Sequence, residues 1–242
     1  MSGAPNFAAI RTRAEKRKGG GEALEKLLPS APDNAALARR TDAEILACMS
    51  QRIFCAGFVW SVIDKKWPGF LAAFENFEPR KLAFEPDEFW DRLSSDTRIV
   101  RHGAKIAAVR ANAAFVARIA DEHGGFGQFL SQWPRDDEIG LLDFLSRNGT
   151  RLGGMTGQYF LRNIGWDAFI LSRDVIACLR DAGVEISEKA TSRRDLAAAQ
   201  AAFSAWARQT GLTYTQLSRI CAMSVGENHD AETILQRMGG DE

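Results

Sequence analysis

The sequence has 242 residues, of which 45% are hydrophobic and 26% are charged, so it can bury a substantial core as one large domain or as two lobes. Its 31 basic residues balance its 31 acidic residues. The net charge therefore gives no sign of nucleic-acid binding, although a local basic face stays compatible with it. No apolar run approaches the length of a membrane span, and we expect no contact with a membrane.

The cysteines and histidines show no metal-binding pattern. The cysteines are widely separated within mostly apolar helical patterns, and no histidine stands at ligand spacing from a cysteine or a second histidine. We therefore predict no zinc site and a reduced, cytoplasmic protein whose thiols are small buried side chains. The cysteines are Cys48, Cys55, Cys178 and Cys221.

The two ends of the chain differ in composition from its centre. Residues 1–34 are predicted to be a loosely ordered basic segment, because a cluster of Arg and Lys at 11–18 precedes three consecutive glycines. Such a segment is either a solvated tail or an arm that lies against a DNA backbone. Residues 35–225 are predicted to form a helical domain, and residues 226–242 a polar tail.

Apolar spacing between these ends predicts helices. Thr41 is a candidate N-cap, and Glu44 can close a capping box. The segment from Ile45 to about Asp64 is apolar on most sides and is predicted as one core helix, and Lys105–Glu122 as a long helix. Further helices are predicted at 70–77, 86–93, 126–133, 139–145, 158–164, 175–181, 193–209 (capped by Ser192) and 213–223. The only candidate strand, 168–171, is too short to carry a sheet, so we predict an all-α fold with about ten helices.

A glycine-rich turn precedes the predicted helix 158–164. Gly153 and Gly154 stand between apolar anchors, and Gly157 follows. Such a turn exposes backbone N–H groups at a helix N-terminus, which suits one phosphate, and Arg151 and Thr156 can add side-chain contacts. The alternative is an ordinary glycine-rich turn between two helices.

This turn resembles the helix-hairpin-helix turn of DNA glycosylases, whose pattern is L-P-G-V-G followed by a helix. Here Gly153 takes the position of the proline and Thr156 that of the second glycine, for which Gly157 can compensate. In that superfamily a catalytic Asp follows the turn by about two dozen positions, after a Gly-Trp-like break and a short apolar run, and Asp174 stands near that spacing after Gly165-Trp166. The resemblance implies two helical lobes with a cleft, and the helix-hairpin-helix at about 141–180.

A closer resemblance, to the DNA-3-methyladenine glycosylase I family, covers roughly residues 43–165. The family's A-G-x-x-W, F-D-P-x-K-V-A and I-I-R-H-x-x-K-I blocks are similar to residues 56–60, 77–83 and 99–106, and Asn112 follows at the right distance. The resemblance implies a base-excision repair enzyme that releases alkylated purines of the 3-methyladenine type from double-stranded DNA. The chemistry requires no cofactor or metal, and no obligate protein partner is evident.

The chain also departs from that family. Residues 1–42 contain no Trp or Tyr, whereas the family has both there, and the family's zinc ligands are absent. The family's pocket glutamate lies four residues before the A-G-x-x-W block, where this chain has Arg52. These departures imply a divergent relative, with Asp174 as the candidate catalytic acid.

The chemistry of an alkylated purine gives the expected mechanism. The nucleotide is flipped out and its cationic base stacks on Trp60, unless Trp60 is a core aromatic. An ionised Asp174 stabilises the oxocarbenium-like sugar and orients a water. Arg101, His102 and Lys105 either contact phosphates or form a solvated helix end. We expect a monofunctional glycosylase without strand cleavage, since no lysine stands just before the acid.

Two other functions are compatible with the sequence. The chain could be a non-catalytic helix-hairpin-helix DNA-binding protein, which the missing family residues favour and the spacing of Asp174 disfavours. It could instead be a helical interaction module that binds a partner through residues 213–223 and the basic segment.

Overall fold

A computed structural model describes residues 6–231 and 233–234 of the chain, and in this part it contains fourteen α-helices, one 3₁₀ turn and no strand. The all-α prediction is confirmed. The helices beyond the expected ten are mostly short ones, such as two of five residues each, in which apolar spacing has no room to repeat. In chain order they are α1 (Phe7–Lys18), α2 (Gly21–Glu25), α3 (Asn34–Ala38), α4 (Asp42–Cys55), α5 (Trp60–Ala73), α6 (Pro79–Phe84), α7 (Asp87–Leu93), α8 (Gly103–His123), α9 (Phe126–Gln132), α10 (Glu138–Asn148), α11 (Met155–Ile164), α12 (Arg173–Asp181), α13 (Arg193–Thr210) and α14 (Tyr214–Ser224), with the 3₁₀ turn at Glu75–Phe77.

The chain divides into two compact units. The terminal unit comprises Met1–Pro32, Pro134–Ile139 and Asp167–Glu242, and the central unit comprises Asp33–Trp133 and Gly140–Trp166. Each unit has its own buried apolar core, and none of the described helices is both long and apolar enough to cross a membrane.

The core of the terminal unit includes the first helix. α1 packs against α14, and its residues Phe7, Ile10 and Ala14 are buried. The Phe7 ring lies 5.2 Å from the ring of Trp206. The expectation of a loosely ordered segment at 1–34 is therefore wrong for residues 7–18. Burial of one large apolar side chain contributes about 1.5–3 kcal/mol, which holds this helix in place despite its many charges.

The basic side chains of α1 have partners within the terminal unit. Arg13 pairs with Asp181. Arg17 donates to the carbonyl oxygens of Met223 at 3.0 Å and Gly226 at 2.7 Å, and to a third at Val225. Lys18 donates to the side chain of Asn228 and the carbonyl of His229. These charges fasten the segment after α14 to α1, and neither a solvated tail nor a DNA-binding arm describes them.

Helix starts in the terminal unit are capped as the sequence indicates. Ser192 accepts from the backbone of Asp195 at the start of α13, which confirms the predicted cap. Thr213 and Gln216 form a capping box at α14. The carboxylate of Asp167 accepts from the backbone N–H groups of Tyr214 and Thr215, the first two residues of α14, at 3.1 and 2.9 Å. Acceptors at a helix N-terminus satisfy N–H groups that have no partner inside the helix.

All four cysteines are free thiols, and three of them are buried. Cys178 and Cys221 are neighbours in the core of the terminal unit. The hydrogen bond from Cys221, together with Ser224 and the charge of Arg13, lowers the pKa of Cys178 to about 7. Three of the four cysteines are thus small buried side chains, as expected, whereas Cys48 is half-buried.

The central unit is organised around α4 and α8, which pack against each other. The predicted capping box at Thr41 and Glu44 is present, and α8 spans Gly103–His123, close to the predicted long helix. Aromatic rings fill the core next to α4. Trp67 stacks on Phe70 and Phe77, at 5.4 Å in each case.

The predicted single helix from Ile45 to Asp64 is wrong, because it breaks at Ala56–Val59. α4 ends at Cys55, α5 begins at Trp60, and Gly57 between them has a φ of +77°. A left-handed backbone conformation favours glycine and ends a helix. The break exposes every residue from 56 to 62, so an apolar sequence that was expected in the core forms a surface loop.

Candidate functional site

Trp60 stands at the first position of α5, directly after the exposed loop 56–59. It is 37% exposed, and its ring meets the edge of Tyr159 on α11 at 5.0 Å and 89°. Trp60 is therefore partly open to solvent, as a base-stacking residue requires, and packs only in part against its own unit.

Arg52 in the last turn of α4 lies against the same tryptophan. Its guanidinium carbon is 5.1 Å from the Trp60 ring centroid, while the residue is only 3% exposed. With the Asn163 amide oriented so that both its groups are satisfied, its oxygen accepts from Arg52 Nη1 at 3.2 Å. Arg52 Nε is buried without a hydrogen-bond partner among the described residues. A cation therefore occupies one side of Trp60.

Lys105 is buried rather than exposed to solvent. Its Nζ donates to the carbonyl oxygens of Phe54 at 3.0 Å and Ala56 at 2.5 Å, and lies 4.4 Å from the Phe58 ring. Burial, with a smaller contribution from the charge of Arg151, lowers the pKa of Lys105. The ammonium of Lys105 binds the carbonyl groups that α4 leaves without partners at its C-terminus, so the predicted phosphate contact, which stays a prediction, would require these bonds to open.

The two preceding residues have different surroundings. Arg101 is exposed and His102 half-buried. His102 occupies the N-cap position of α8 without a side-chain capping bond, and its ring lies 6.4 Å from that of Phe58. Arg101 therefore has the exposure that a phosphate contact needs, while His102 packs against the loop.

The glycine-rich turn is held to α8 by a buried side chain. Asn112 is fully buried, donates to the carbonyl of Thr150 at 3.0 Å and accepts from its N–H at 2.7 Å. A Cβ on Gly157 would lie 2.4 Å from the carbonyl oxygen of Leu152. The backbone of the turn therefore approaches Gly157 too closely for any side chain. Gly157 lies inside the first turn of α11, not in the loop that precedes this helix. The sequence blocks included Asn112 but gave no sign of its role as a clamp.

The open side of the turn is the start of α11. Gly154 is the N-cap residue, with φ 58° and ψ −135° and no side-chain capping bond. Gly153, Gly154 and Arg151 are exposed, and Thr156 is half-buried. The first N–H groups of a ten-residue helix are left for an outside acceptor here, and the helix dipole favours an anion at this position.

These elements meet on one side of the central unit, which we call the loop–turn face and define as residues 56–62, 100–103 and 151–155. Contacts of Lys105 and Phe58 join the first two segments, and Trp60 contacts α11, which begins in the third. Exposed apolar side chains on this face include Phe58, Val59 and Met155. The face thus combines apolar side chains with exposed basic groups and an uncapped helix start.

Asp174 belongs to the terminal unit, in the first turn of α12. It is half-buried and lines a cavity of about 160 Å³ together with Lys18, Arg219 and His229. A Cβ on Gly226 would lie 2.4 Å from Asp174 Oδ1, so the backbone after α14 closely approaches this carboxylate. Of the predicted site residues, only Asp174 lies outside the central unit.

Comparisons with known proteins agree with the blocks that form the loop–turn face. Residues 36–140 match the family model described as methyladenine glycosylase. Over 75 residues the chain is 40% identical to DNA-3-methyladenine glycosylase 1 of Escherichia coli (strain K12), a match that covers 31% of this chain and 40% of that relative. The chain thus matches less than half the length of this curated relative. The glycine turn and Asp174 lie beyond the part that matches the family model.

Two solved structures are similar to this chain to different extents. A 3-methyladenine DNA glycosylase I from Staphylococcus aureus is 26% identical with a TM-score of 0.46, covering 52% of this chain and 77% of that chain. A Methanocaldococcus jannaschii 8-oxoguanine glycosylase/lyase, solved with a 15mer DNA containing 8-oxoguanine, is 16% identical with a TM-score of 0.51, covering 88% and 95%. The archaeal likeness shows the helical fold of a DNA glycosylase. Residues 36–140, which match the methyladenine glycosylase family model, make up less than half of this chain.

Proposed function

We propose that the protein is a DNA glycosylase that releases alkylated purines of the 3-methyladenine type from double-stranded DNA in base-excision repair. The observation that carries the proposal is the family match over residues 36–140, which includes the loop with Trp60 and the turn with Arg101. The curated relative's name specifies this chemistry for that protein.

The loop–turn face supports a role in binding DNA. The uncapped start of α11 offers backbone N–H groups to one phosphate, and exposed Arg101 and Arg151 offer charge to others. Exposed apolar side chains beside these groups suit the contact with bases that accompanies extrusion of a nucleotide. Trp60 offers an aromatic surface for the flipped base.

We propose Asp174 as the residue that stabilises the developing charge on the sugar and orients the attacking water. Its position after the glycine turn supports this role, as does its half-buried place in a cavity where charged side chains stand among apolar ones such as Leu27 and Met223. The backbone at Gly226 leaves little room on one side of the carboxylate. A reacting sugar would therefore approach Asp174 from another side, or the segment after α14 would move.

Single-turnover release of bases from methylated duplex DNA tests the proposal, with wild type compared with Asp174→Asn. We expect release by the wild type and a loss of about 10²–10³-fold in the variant, with DNA binding retained. Asp181→Asn is the matched control, because Asp181 ends the same helix and pairs with Arg13 on the surface. Equal release by wild type and Asp174→Asn would contradict the catalytic role of Asp174, while the glycosylase activity itself would be supported.

A non-catalytic DNA-binding protein is the second candidate. The close approach of Gly226 to Asp174 and the cation Arg52 beside Trp60 favour it. In that case methylated DNA would bind to the wild type but lose no base, and Arg151→Gln would weaken binding while Asp174→Asn would not.

A further inference from the structure

Arg52 is a buried cation in the central unit whose partners do not neutralise it. It is 3% exposed, and no carboxylate among the described residues forms an ion pair with it. Its contacts are the neutral amide of Asn163 and the ring of Trp60, and its Nε has no acceptor. A buried charge destabilises the folded state unless hydrogen bonds and an opposite charge compensate it. An additional hydrogen-bond acceptor at Arg52 would therefore be favourable.

A second arginine of the same unit shows the ordinary arrangement. Arg110 also lies over a tryptophan, 5.8 Å from the ring centroid of Trp90. It is 44% exposed on its side chain and pairs with Asp87 at 2.7 Å. An arginine on a tryptophan therefore does not by itself indicate a ligand. What distinguishes Arg52 is burial without an acid, beside an aromatic ring that remains partly open.

The chain that follows Arg52 is held by a second buried cation, Lys105. The backbone N–H of Ala56 donates to the carbonyl of Arg52, and the carbonyl of Ala56 accepts from the buried ammonium of Lys105. Two buried cations thus meet the same turn of chain, immediately before Trp60. A group that presents hydrogen-bond acceptors is favoured here, and one that presents an amino group is disfavoured.

We propose that Arg52 determines which purine is accepted at Trp60, and that it favours guanine-type bases over adenine-type bases. Guanine presents two adjacent acceptors, O6 and N7, which match the guanidinium fork. Adenine presents N7 with an amino donor in place of O6. This inference rests on the proposed glycosylase function and ranks the substrates within it: among purines alkylated at N3, those with a carbonyl at C6 are preferred to those with an amino group. Arg52 would act on the purine edge only, and the bond that breaks remains the glycosidic bond.

The first arm of the test measures binding without catalysis. The probes are 9-methylhypoxanthine and 9-methyladenine, which are neutral and differ at the purine edge that Arg52 would read. Binding is followed by the chemical shift of the Trp60 indole N–H, assigned with Trp60→Phe. We expect the wild type to prefer 9-methylhypoxanthine by about tenfold, since one bidentate contact discriminates about 5- to 150-fold. Arg52→Gln should abolish that preference, and Arg110→Gln should keep it.

The second arm measures release from DNA treated with dimethyl sulfate. In DNA, 3-methylguanine and 3-methyladenine both carry the positive charge that methylation creates. The ratio of their release rates therefore reports the effect of the group at C6 separately from the effect of that charge. We expect this ratio, corrected for lesion content, to favour 3-methylguanine and to fall about tenfold in Arg52→Gln. The ratio does not depend on the fraction of folded enzyme. Arg52→Lys, which keeps the charge and loses the fork, guards against loss of folding and should lower the ratio in part.

The outcomes separate this inference from the proposed function. Release of 3-methyladenine as fast as 3-methylguanine, with equal binding of the two neutral probes, overturns the role of Arg52 and leaves the glycosylase. A binding preference that Arg52→Gln abolishes, with no release of either base, supports the role of Arg52 and overturns the glycosylase. A preference that survives Arg52→Gln places the selectivity elsewhere and overturns the inference.

Discussion

Arg17 in the terminal unit and Arg52 in the central unit show two uses of the same side chain. Arg17 donates to three backbone carbonyl oxygens and so fastens the segment after α14 to α1. Arg52 is more deeply buried, yet it contacts a neutral amide and an aromatic ring and leaves Nε without an acceptor. The donors of Arg17 are occupied and hold the fold together, whereas the buried Nε of Arg52 has no acceptor among the described residues, and this is one of the observations on which the proposed ligand contact rests.

The two units also differ in whether their basic side chains have partners within the unit. In the terminal unit, the basic side chains of α1 meet acids and carbonyl groups of that unit. In the central unit, the loop–turn face exposes apolar side chains, Arg101, Arg151 and an uncapped helix start. Substitutions at the contacts of α1 should therefore change stability, and those on the loop–turn face should change DNA binding.

The largest effect on stability is expected for Arg17→Gln. The substitution removes donors from the carbonyl groups of Met223, Val225 and Gly226, and we expect a loss of about 2–3 kcal/mol in the free energy of unfolding. Urea denaturation measures it as a lower midpoint at unchanged slope. Lys16→Gln, an exposed neighbour on α1, is the control and should stay within about 0.5 kcal/mol of wild type. Equal effects of the two substitutions would contradict the fastening role of Arg17.

Gly157→Ala is expected to be the next largest. The new Cβ would lie 2.4 Å from the carbonyl oxygen of Leu152 and 3.0 Å from Cδ2 of Leu142, so the turn must shift. We expect a loss of about 1–2 kcal/mol, together with weaker DNA binding because the start of α11 moves. Gly153→Ala is the control, since its Cβ would meet a serine hydroxyl at 3.1 Å that can rotate away. Unchanged stability of Gly157→Ala would show that the turn tolerates displacement.

Arg151→Gln should separate binding from stability. Arg151 is exposed, so its removal should leave the free energy of unfolding within about 0.5 kcal/mol of wild type. The slope of log K against log salt for duplex DNA should decrease in magnitude by about one, as expected for the loss of one phosphate contact. Arg17→Gln, measured beside it, should keep the slope of the wild type. An unchanged slope in Arg151→Gln would place the phosphate contact elsewhere.

Local signals in the sequence predicted much of this fold. The capping box at Thr41, the cap at Ser192 and the long helix before Gly124 are present, because caps and glycine stops act within one helical turn. The family blocks at residues 56–60 and 99–106 lie within the part of the chain that matches the methyladenine glycosylase family model. The charges of α1 concealed its buried face, since Phe7, Ile10 and Ala14 are sparse among basic residues.

The features that periodicity missed depend on tertiary contacts. The apolar pattern of residues 45–64 predicts one helix. In the structure Gly57 adopts a left-handed conformation, and Lys105 binds the carbonyl groups that are left without helical partners at the break. That lysine stands 51 positions from its first partner in the sequence. The burial of Arg52 was equally inaccessible, because it depends on α5 and α11 packing around the end of α4. Residue identity suggested a change of charge at this position, and only the structure showed that the charge has no acid beside it.

The smallest predicted effect concerns the two capping boxes, Thr41–Glu44 at α4 and Thr213–Gln216 at α14. Only the first can titrate. The hydrogen bond from the backbone N–H of Thr41, followed by those from its hydroxyl and from Arg40, holds the pKa of Glu44 below its ordinary value. A lowered pKa in the folded state adds stability above the unfolded value of about 4.3, and this stability is lost as the pH falls through the folded value.

Glu44→Gln tests this difference, because the amide oxygen can still accept from Thr41 while the titration disappears. The side chain of Glu44 is 48% exposed, so solvent screening limits the expected difference to about 0.3–0.5 kcal/mol near pH 6. Unfolding free energies of wild type and variant, measured by urea denaturation from pH 6 to pH 3, should converge as the pH falls. Parallel curves would contradict a folded-state bond to the ionised carboxylate. The second capping box has a neutral residue for a separate reason. The amide nitrogen of Gln216 donates to the carbonyl of Pro29 at 3.0 Å, and a carboxylate has no hydrogen to donate. The start of α14 therefore requires an amide, whereas the start of α4 tolerates an acid.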